Sequence, residues 1–408
     1  MKIEIDTVKG FGDYLPPASL KRAAVKRVIE KWFKRYGFVP IETPVVEFDE
    51  LMKPDVLTVE EDEAVSDRFR LKDRAGRNLG LRYEFTFQLG RIIRQNPNMK
   101  MPFRRFQIGE VFRDEPIGAG RFRQFTQCDA DILGDGSTNA DAECLALVWD
   151  IMNELKIGAE IQVNNRRLMN AIIESVEITD KVRVMRELDK IDKIGLDVVK
   201  ANLRKYADVN QIITLFKLLE KDINFFKANA FDGADEILDL MKKCEKYGVN
   251  VRFNSSMIRG LGYYTGNVFE IKNEAGLTIS AGGRYDKSVG KFLDRDVAAV
   301  GISFGLERVC ELAQVEIESM PEAVVISLDQ DEEVVNLVRK IRSSGGYCLP
   351  FFDKVGKAME YANALAIPFV VFVGKDEIDK KKFKIKDMKS GEESYLTEKQ
   401  LVKKFEKK

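Results

Sequence analysis

Apolar residues recur at helical spacing over residues 20–36, where Leu20, Ala24, Val25, Ile29, Trp32, Phe33 and Tyr36 form one stripe. Ser19 is the expected N-cap of that helix and Gly37 its stop. A strand carrying Pro40 and Pro44 follows, and proline confines such a strand to an edge or an interface. Between residues 105 and 132 the period changes to two. Runs 105–113 and 121–132 flank a Pro/Gly-rich turn at 116–120, which predicts an antiparallel hairpin with a mobile tip. On the second run Arg121, Arg123, Phe125, Gln127, Asp129 and Asp131 share one face, and Phe122, Thr126, Cys128, Ala130 and Ile132 share the other.

A helix over 141–155, a strand over 160–164 and a turn at 164–167 come next. Residues 168–247 are helical in pattern almost throughout, with Gly195 and Gly233 as punctuation, and read as an inserted helical subdomain. A strand over 268–271 precedes a second glycine-rich stretch, and residues 298–308 read as a strand running through glycine into a helix. Pro321 opens a compositional shift. Strands at 324–328 and 369–373 alternate with helices at 332–342 and 355–365, the pattern of a small α/β unit with parallel strands.

Composition narrows the function classes. A chain of 408 residues suggests roughly two to three domains. Lysine plus arginine and aspartate plus glutamate balance at 66 each, so any polyanion has to be met by local patches rather than by a global field. The five cysteines, Cys128, Cys144, Cys244, Cys310 and Cys348, are scattered and include no Cys-x-x-Cys pair, which points away from a disulfide framework or a zinc site and fits a reducing cytoplasm. Residues 1–17 lack an apolar signal core, and the longest apolar run, 367–373, is too short to span a bilayer, so a soluble protein without membrane contact is expected. There is no histidine at all. That removes the commonest general base and the Ser-His and Cys-His nucleophile pairs, leaving arginine, carboxylates, tyrosines and the substrate to do the chemistry.

The hairpin carries a spacing that suits ATP. Arg113 ends the first strand, Glu115 follows two residues on, and Arg121-x-x-x-Phe125 lies beyond the loop. This series resembles motif 2 of the class II aminoacyl-tRNA synthetases, which implies that Arg113 meets the α-phosphate, Glu115 the adenine amino group and Arg121 the γ-phosphate, and that Phe125 offers the base a stacking face. The helix, strand and prolines at 20–44 resemble motif 1, which in that family builds the dimer interface. The stretch 298–308 resembles motif 3, whose helix implies that Arg308 meets the γ-phosphate and that Gly301 and Gly305 make room for ATP.

Two further stretches narrow the resemblance to the histidyl-tRNA synthetases. Leu81-Arg82-Tyr83-Glu84-Phe85-Thr86 is similar to that family's Leu-Arg-x-Glu-x-Thr signature, and residues 258–266 and 280–286, with Arg259, Tyr263, Tyr264 and Tyr285, resemble its two Gly/Tyr motifs. The resemblance implies that Glu84 binds the α-ammonium of histidine with Phe85, Thr86 and Gln127 around it, and that Asp131, Tyr264 and Tyr285 address the imidazole with Tyr263 beside them. It also implies catalytic roles for Arg113 and Arg259 at the α-phosphate. Gly262 stands where the family usually has Asp. Gln127 to Asp131 look more like archaeal and eukaryotic members than bacterial ones.

The implied fold is α+β, an antiparallel class II sheet flanked by helices. Residues 1–165 and 249–318 would form the catalytic core, 166–248 a helical insertion, and 321–408 a C-terminal α/β domain like the family's anticodon-binding domain. The implied partners are L-histidine, ATP with Mg²⁺, the tRNA for histidine and a second copy of the chain; no tightly bound metal or organic cofactor is expected. A non-catalytic paralogue that senses histidine in histidine biosynthesis is the alternative. Arg121, Arg259 and Arg308 argue against it, because a sensor needs no triphosphate clamp.

Overall fold

The computed structural model describes residues 5–52, 67–118, 120–258, 263–290, 293, 295–317 and 321–407. The chain divides into two compact units, Met1–Glu316 and Ile317–Lys408. Arg259 and Gly262 lie outside the described residues.

In the first unit β1 (Val39–Pro40) is followed by a three-stranded sheet of β2 (Val46–Phe48), β3 (Arg70–Lys72) and β4 (Asn78–Leu81). The main sheet adds β5 (Phe103–Phe112), β6 (Gln124–Leu133), β7 (Ala159–Asn165), β8 (Val251–Phe253), β9 (Asn267–Asn273), β10 (Thr278–Arg284) and β11 (Ala299–Gly305). Its order is β1-β5-β6-β11-β10-β9-β7-β8. The interior pairs are antiparallel, but β1 runs parallel to β5 and β8 parallel to β7, so the sheet is mixed rather than wholly antiparallel. Long connections return the chain to each edge, and only such crossovers permit parallel pairing. Pro40 sits on the edge strand β1, where a missing amide hydrogen is tolerated.

The period-two pattern of the hairpin decides which face is core. Phe106, Cys128, Ala130, Ile132, Ile302 and Phe304 join Val25, Ile29 and Phe33 of the helix Ala18–Arg35, and Leu145 and Val148 of the helix Thr138–Glu154, in one buried cluster. The tips of the stripe stay partly wet and find partners: Trp32 Nε1 donates to Glu154 at 2.8 Å and the Tyr36 hydroxyl to Asp150 at 2.6 Å. Ser19 is not the N-cap. The helix begins at Ala18 with Pro17 at the cap position, so Ser19 falls inside the first turn. The second hairpin strand starts at Gln124, later than its pattern suggests, because Arg121 is held in the turn by a bridge to Gly118.

The helical segment contains the helices Arg166–Ser175, Lys181–Leu188, Ile191–Ile194, Leu196–Leu203, Val209–Leu219, Ile223–Ala228 and Ala234–Lys246. Residues 164–167 are not a free turn: Asn165 ends β7, and its side chain accepts from Arg167 N to cap the next helix. Leu168, Ile172, Leu215, Phe226 and Ile237 share the buried cluster that covers the sheet.

The second unit is a five-stranded sheet of β12 (Ala323–Ser327), β13 (Cys348–Phe351), β14 (Phe369–Val373), β15 (Phe383–Asp387) and β16 (Glu393–Leu396), in the order β13-β12-β14-β15-β16. The first three strands are parallel, as the alternating pattern predicts; β15 and β16 add to them antiparallel. The single short helix Lys375–Lys380, ended by Lys381 at φ +52°, turns the chain straight back and leaves no length for a crossover. Among the described residues no helix is long and apolar enough to cross a membrane.

Candidate active site

The face of the main sheet opposite the apolar core is built of cross-strand rows. In one, Arg105 of β5 pairs with Asp131 of β6, which pairs with Gly301 of β11, which pairs with Gly283 of β10. Two residues along, Gln107, Asp129, Ser303 and Ala281 form the next row, and Gly109, Gln127 and Gly305 the one after. Alternation puts all three rows on one face. Three polar positions of β6, Gln127, Asp129 and Asp131, meet no bulk solvent and are all buried.

Asp131 is the centre of the first row. Its Oδ1 accepts from the Tyr285 hydroxyl, and its Oδ2 lies 2.6 Å from Arg105 Nη2. Burial pushes the Asp131 carboxyl up, while Arg105 and the Tyr285 hydrogen bond oppose that shift. A Cβ built on Gly301 meets Asp131 Oδ1, because the β6–β11 register stands the carboxylate over it, whereas a Cβ on Gly305 would border open space. Gly283, at φ +152°, likewise leaves space for the Tyr264 ring, which a Cβ would meet at 3.0 Å. In the second row Gln127 Nε2 donates to the Ser303 hydroxyl at 2.8 Å, and Ser303 donates to Asp129. Burial raises Asp129 to about 8 against the pull of Arg105.

Glu84 lies between β4 and the helix Phe87–Gln95. It is 4% exposed, Oε2 accepts from the Tyr263 hydroxyl at 3.3 Å, and Oε1 has no hydrogen-bond partner. Burial raises this carboxyl to about 7, with Arg113 and the bonds from Tyr263 and Thr86 pulling the other way. The Tyr263 ring packs 4.8 Å from Tyr264 and 5.9 Å from Tyr285, which closes a circuit from Glu84 through the tyrosines to Asp131. Phe85 is wholly buried behind this circuit, where its carbonyl accepts from Arg105 Nη2 at 3.4 Å. Unpartnered buried atoms gather here: Glu84 Oε1, Gln127 Oε1 and Arg105 Nε and Nη1, and Asp131 Oδ2 has the ion pair but no hydrogen bond of good geometry. A buried polar atom without a partner costs about 1–3 kcal/mol, so the arrangement calls for a polar ligand with an ammonium and further hydrogen-bonding groups.

At the hairpin, the Arg113 guanidinium lies between the rings of Tyr83, at 4.3 Å, and Phe125, at 5.0 Å. The Tyr83 hydroxyl donates to Glu115 at 3.1 Å. Arg308 lies in the first turn of the helix Leu306–Leu312, and its Nη1 donates to the Thr278 carbonyl at 2.9 Å. A Cβ on Gly120 would lie 3.8 Å from Arg308 Nε, so the hairpin turn reaches over this guanidinium, with the exposed Arg121 next to it. Glu307 ties the two elements together by accepting from Thr126 N at 3.1 Å and from Arg22 Nη1 at 2.9 Å.

Two groups of expected residues thus come together: Glu84, Tyr263, Tyr264, Tyr285 and Asp131 in one circuit with Thr86 and Gln127 beside it, and Arg113, Glu115 and Phe125 at the hairpin, with Arg121 and Arg308 at its turn. Arg105, Tyr83, Asp129, Ser303 and Glu307 were not singled out from the sequence. Their partners lie on other strands, so only the long-range register reveals them.

Comparison with known proteins agrees with this geometry. The family described as Histidyl-tRNA synthetase matches residues 10–309, and the family described as Anticodon binding domain matches residues 322–408. Histidine--tRNA ligase 1 of Bacillus cereus is 36% identical over 96% of this chain and 95% of its own length. A solved histidyl-tRNA synthetase from Nostoc superposes with a TM-score of 0.85 at 27% identity, covering 99% of each chain. A structure described as an ATP phosphoribosyltransferase regulatory subunit/histidyl-tRNA synthetase, from Bacillus halodurans, has a TM-score of 0.74 at 20% identity over 88% of this chain and 97% of its own; it shares the fold. These relatives are bacterial, so the archaeal and eukaryotic affinity expected from residues 127–131 finds no support in them. With the two family signatures lying end to end and a curated relative aligned over nearly the full length, the chain belongs to the histidyl-tRNA synthetase family of class II.

Proposed function

We propose that this protein activates L-histidine with MgATP and transfers it to the 3′ end of its tRNA. The observation that carries the reading is the circuit from Glu84 through Tyr263 and Tyr285 to Asp131, which presents a carboxylate at each end. Glu84 Oε1 takes the substrate ammonium, with Thr86 and Gln127 as neighbours, while Asp131, Tyr264 and Tyr285 address the imidazole. A site built to hydrogen-bond its substrate rejects an apolar amino acid by about 10⁴-fold or more, since the analogue leaves buried groups unpaired.

In the first step the histidine carboxylate attacks the α-phosphorus of ATP, the bond to the bridging oxygen breaks, and pyrophosphate leaves. No protein nucleophile takes part. Arg113, prevented from swinging by Tyr83 and Phe125, meets charge developing on the α-phosphate, and Arg259 is assigned to the same oxygens. Arg121 and Arg308 meet the leaving group, Phe125 stacks on the adenine and Glu115 accepts from its amino group. In the second step a hydroxyl of the terminal ribose attacks the adenylate carbonyl and AMP leaves. The released proton goes to a phosphate oxygen or to water, because the chain has no histidine.

The helical segment 166–248 is read as an insertion beside the tRNA and residues 321–408 as the anticodon-binding part. A cytoplasmic homodimer is the assembly we infer. Its support is the set of exposed apolar residues Val39, Val45, Val46 and Phe48 on and beside the edge strands β1 and β2, with five unpaired cysteines consistent with the compartment. Exchange of labelled pyrophosphate into ATP, run with each amino acid in turn, tests the activation step: histidine alone should support it. Histidine binding without exchange would favour a regulatory paralogue instead.

A further inference from the structure

Arg105 is a large charged side chain buried beside the Glu84–Asp131 circuit that the proposed reaction does not use. It is fully buried, and it stands opposite Asp131 in the β5–β6 ladder. One of its terminal nitrogens serves both ends of the pocket: Nη2 lies 2.6 Å from Asp131 Oδ2 and donates to the Phe85 carbonyl at 3.4 Å, inside the Glu84–Thr86 segment. Nε and Nη1 are buried with no hydrogen-bond partner. Such a group is a poor stabiliser. A buried ion pair rarely gains more than a well-packed apolar substitute would, and two unpartnered donors make the balance worse.

We propose that Arg105 is a positioning residue for histidine: it fixes the Asp131 carboxylate beneath the imidazole and, through the Phe85 carbonyl, sets the distance from there to the ammonium site at Glu84. The inference rests on the reading of Asp131 and Glu84 as the two ends of the substrate pocket. Arg105 touches neither ATP nor the reacting atoms in this scheme. With Tyr285 on Oδ1 and Arg105 on Oδ2, both oxygens of Asp131 have a fixed direction, and the facing guanidinium opposes the upward push that burial gives this carboxyl. A lysine has one charge but no planar fork, so it cannot hold the carboxylate and the Phe85 carbonyl in the same relation.

Pyrophosphate exchange by the full-length protein separates this role from a structural one. In Arg105→Met the KM for histidine should rise at least tenfold while the KM for ATP changes less than about twofold; Arg105→Lys should lie between that variant and the parent. In an Asp131→Asn background, Arg105→Met should add less than a threefold further change. An unchanged histidine KM in folded Arg105→Met, or a parallel rise in both KM values, overturns the proposal. If the Met variant does not fold by circular dichroism, Arg105→Lys decides alone: a wild-type histidine KM in it overturns the proposal, and a selective rise supports it. Failure of the parent protein to catalyse histidine-dependent exchange would instead strike the functional reading, independently of Arg105.

Discussion

Gly301 lies directly opposite Asp131 in the β6–β11 ladder, and a methyl group on it would fall on the Asp131 carboxyl oxygen. Gly301→Ala should therefore act on the imidazole end of the pocket. The Asp131 side chain has to leave Tyr285 and Arg105, at a stability loss of about 1–3 kcal/mol. Histidine KM should rise roughly tenfold or more, with ATP KM little changed. Pyrophosphate exchange beside a thermal melt checks both.

Glu84 links activity to pH. Its carboxyl titrates near 7 in the unliganded protein, above an ordinary 4.5, so between these values the native state binds more protons than the unfolded chain. The sign follows: stability drawn from the buried neutral form is present at low pH and is lost as pH rises through about 7. With Glu84 in its proposed role as partner of the ammonium, binding draws on the ionised form, so kcat/KM for histidine should fall as pH drops below about 7. Glu84→Gln should remove that dependence, reduce histidine activation by at least about a hundredfold, and raise the unliganded melting temperature at pH 8, by at most about 3 kcal/mol in stability. Melts over pH 5–9 with and without histidine provide the check.

Glu307 accepts from Thr126 and Arg22, and so fixes the strand bearing Phe125 against the helix bearing Arg308. Glu307→Gln removes the charge and one acceptor geometry. ATP KM should rise several-fold and kcat should fall, while histidine KM holds. Steady-state exchange kinetics with each substrate varied in turn would show the split.

Arg284 is a structural counterpart to Arg105. Its buried guanidinium pairs with wholly buried Asp141 and donates to the carbonyls of Asp135 and Ser137, tying β10 to the start of the helix Thr138–Glu154. Arg284→Met leaves Asp141 buried and unpaired, which should cost about 3–5 kcal/mol. Replacing both, as Arg284→Met with Asp141→Leu, should recover a good part of that loss in a urea titration.

The hairpin, the helix packed behind it and the strand-to-helix run ending at Arg308 were legible because each is a local pattern: a period of two or of 3.6, closed by glycine or proline. Motifs of short span singled out Glu84, Arg113 and Phe125 as candidates. What escaped the sequence depends on register between distant strands. Nothing in the neighbourhood of Gly301 says that Asp131 stands over it. Arg105 was invisible for the same cause, lying between Arg104, which turns outward to Glu143, and Phe106, which is core. The parallel edges of the main sheet and the antiparallel strands of the second unit were missed because strand direction is set by the length of the connection, which periodicity does not encode.

Along β6 the polar residues Gln127, Asp129 and Asp131 line the candidate site, and the residues between them, Cys128, Ala130 and Ile132, hold the core together. A shift of one place would turn recognition inward and grease outward, so the strand cannot slide to suit a new amino acid without unfolding its host. Changes of preference in this lineage have to enter through side chains that reach in from the tyrosine-bearing turns, where alteration leaves the ladder intact.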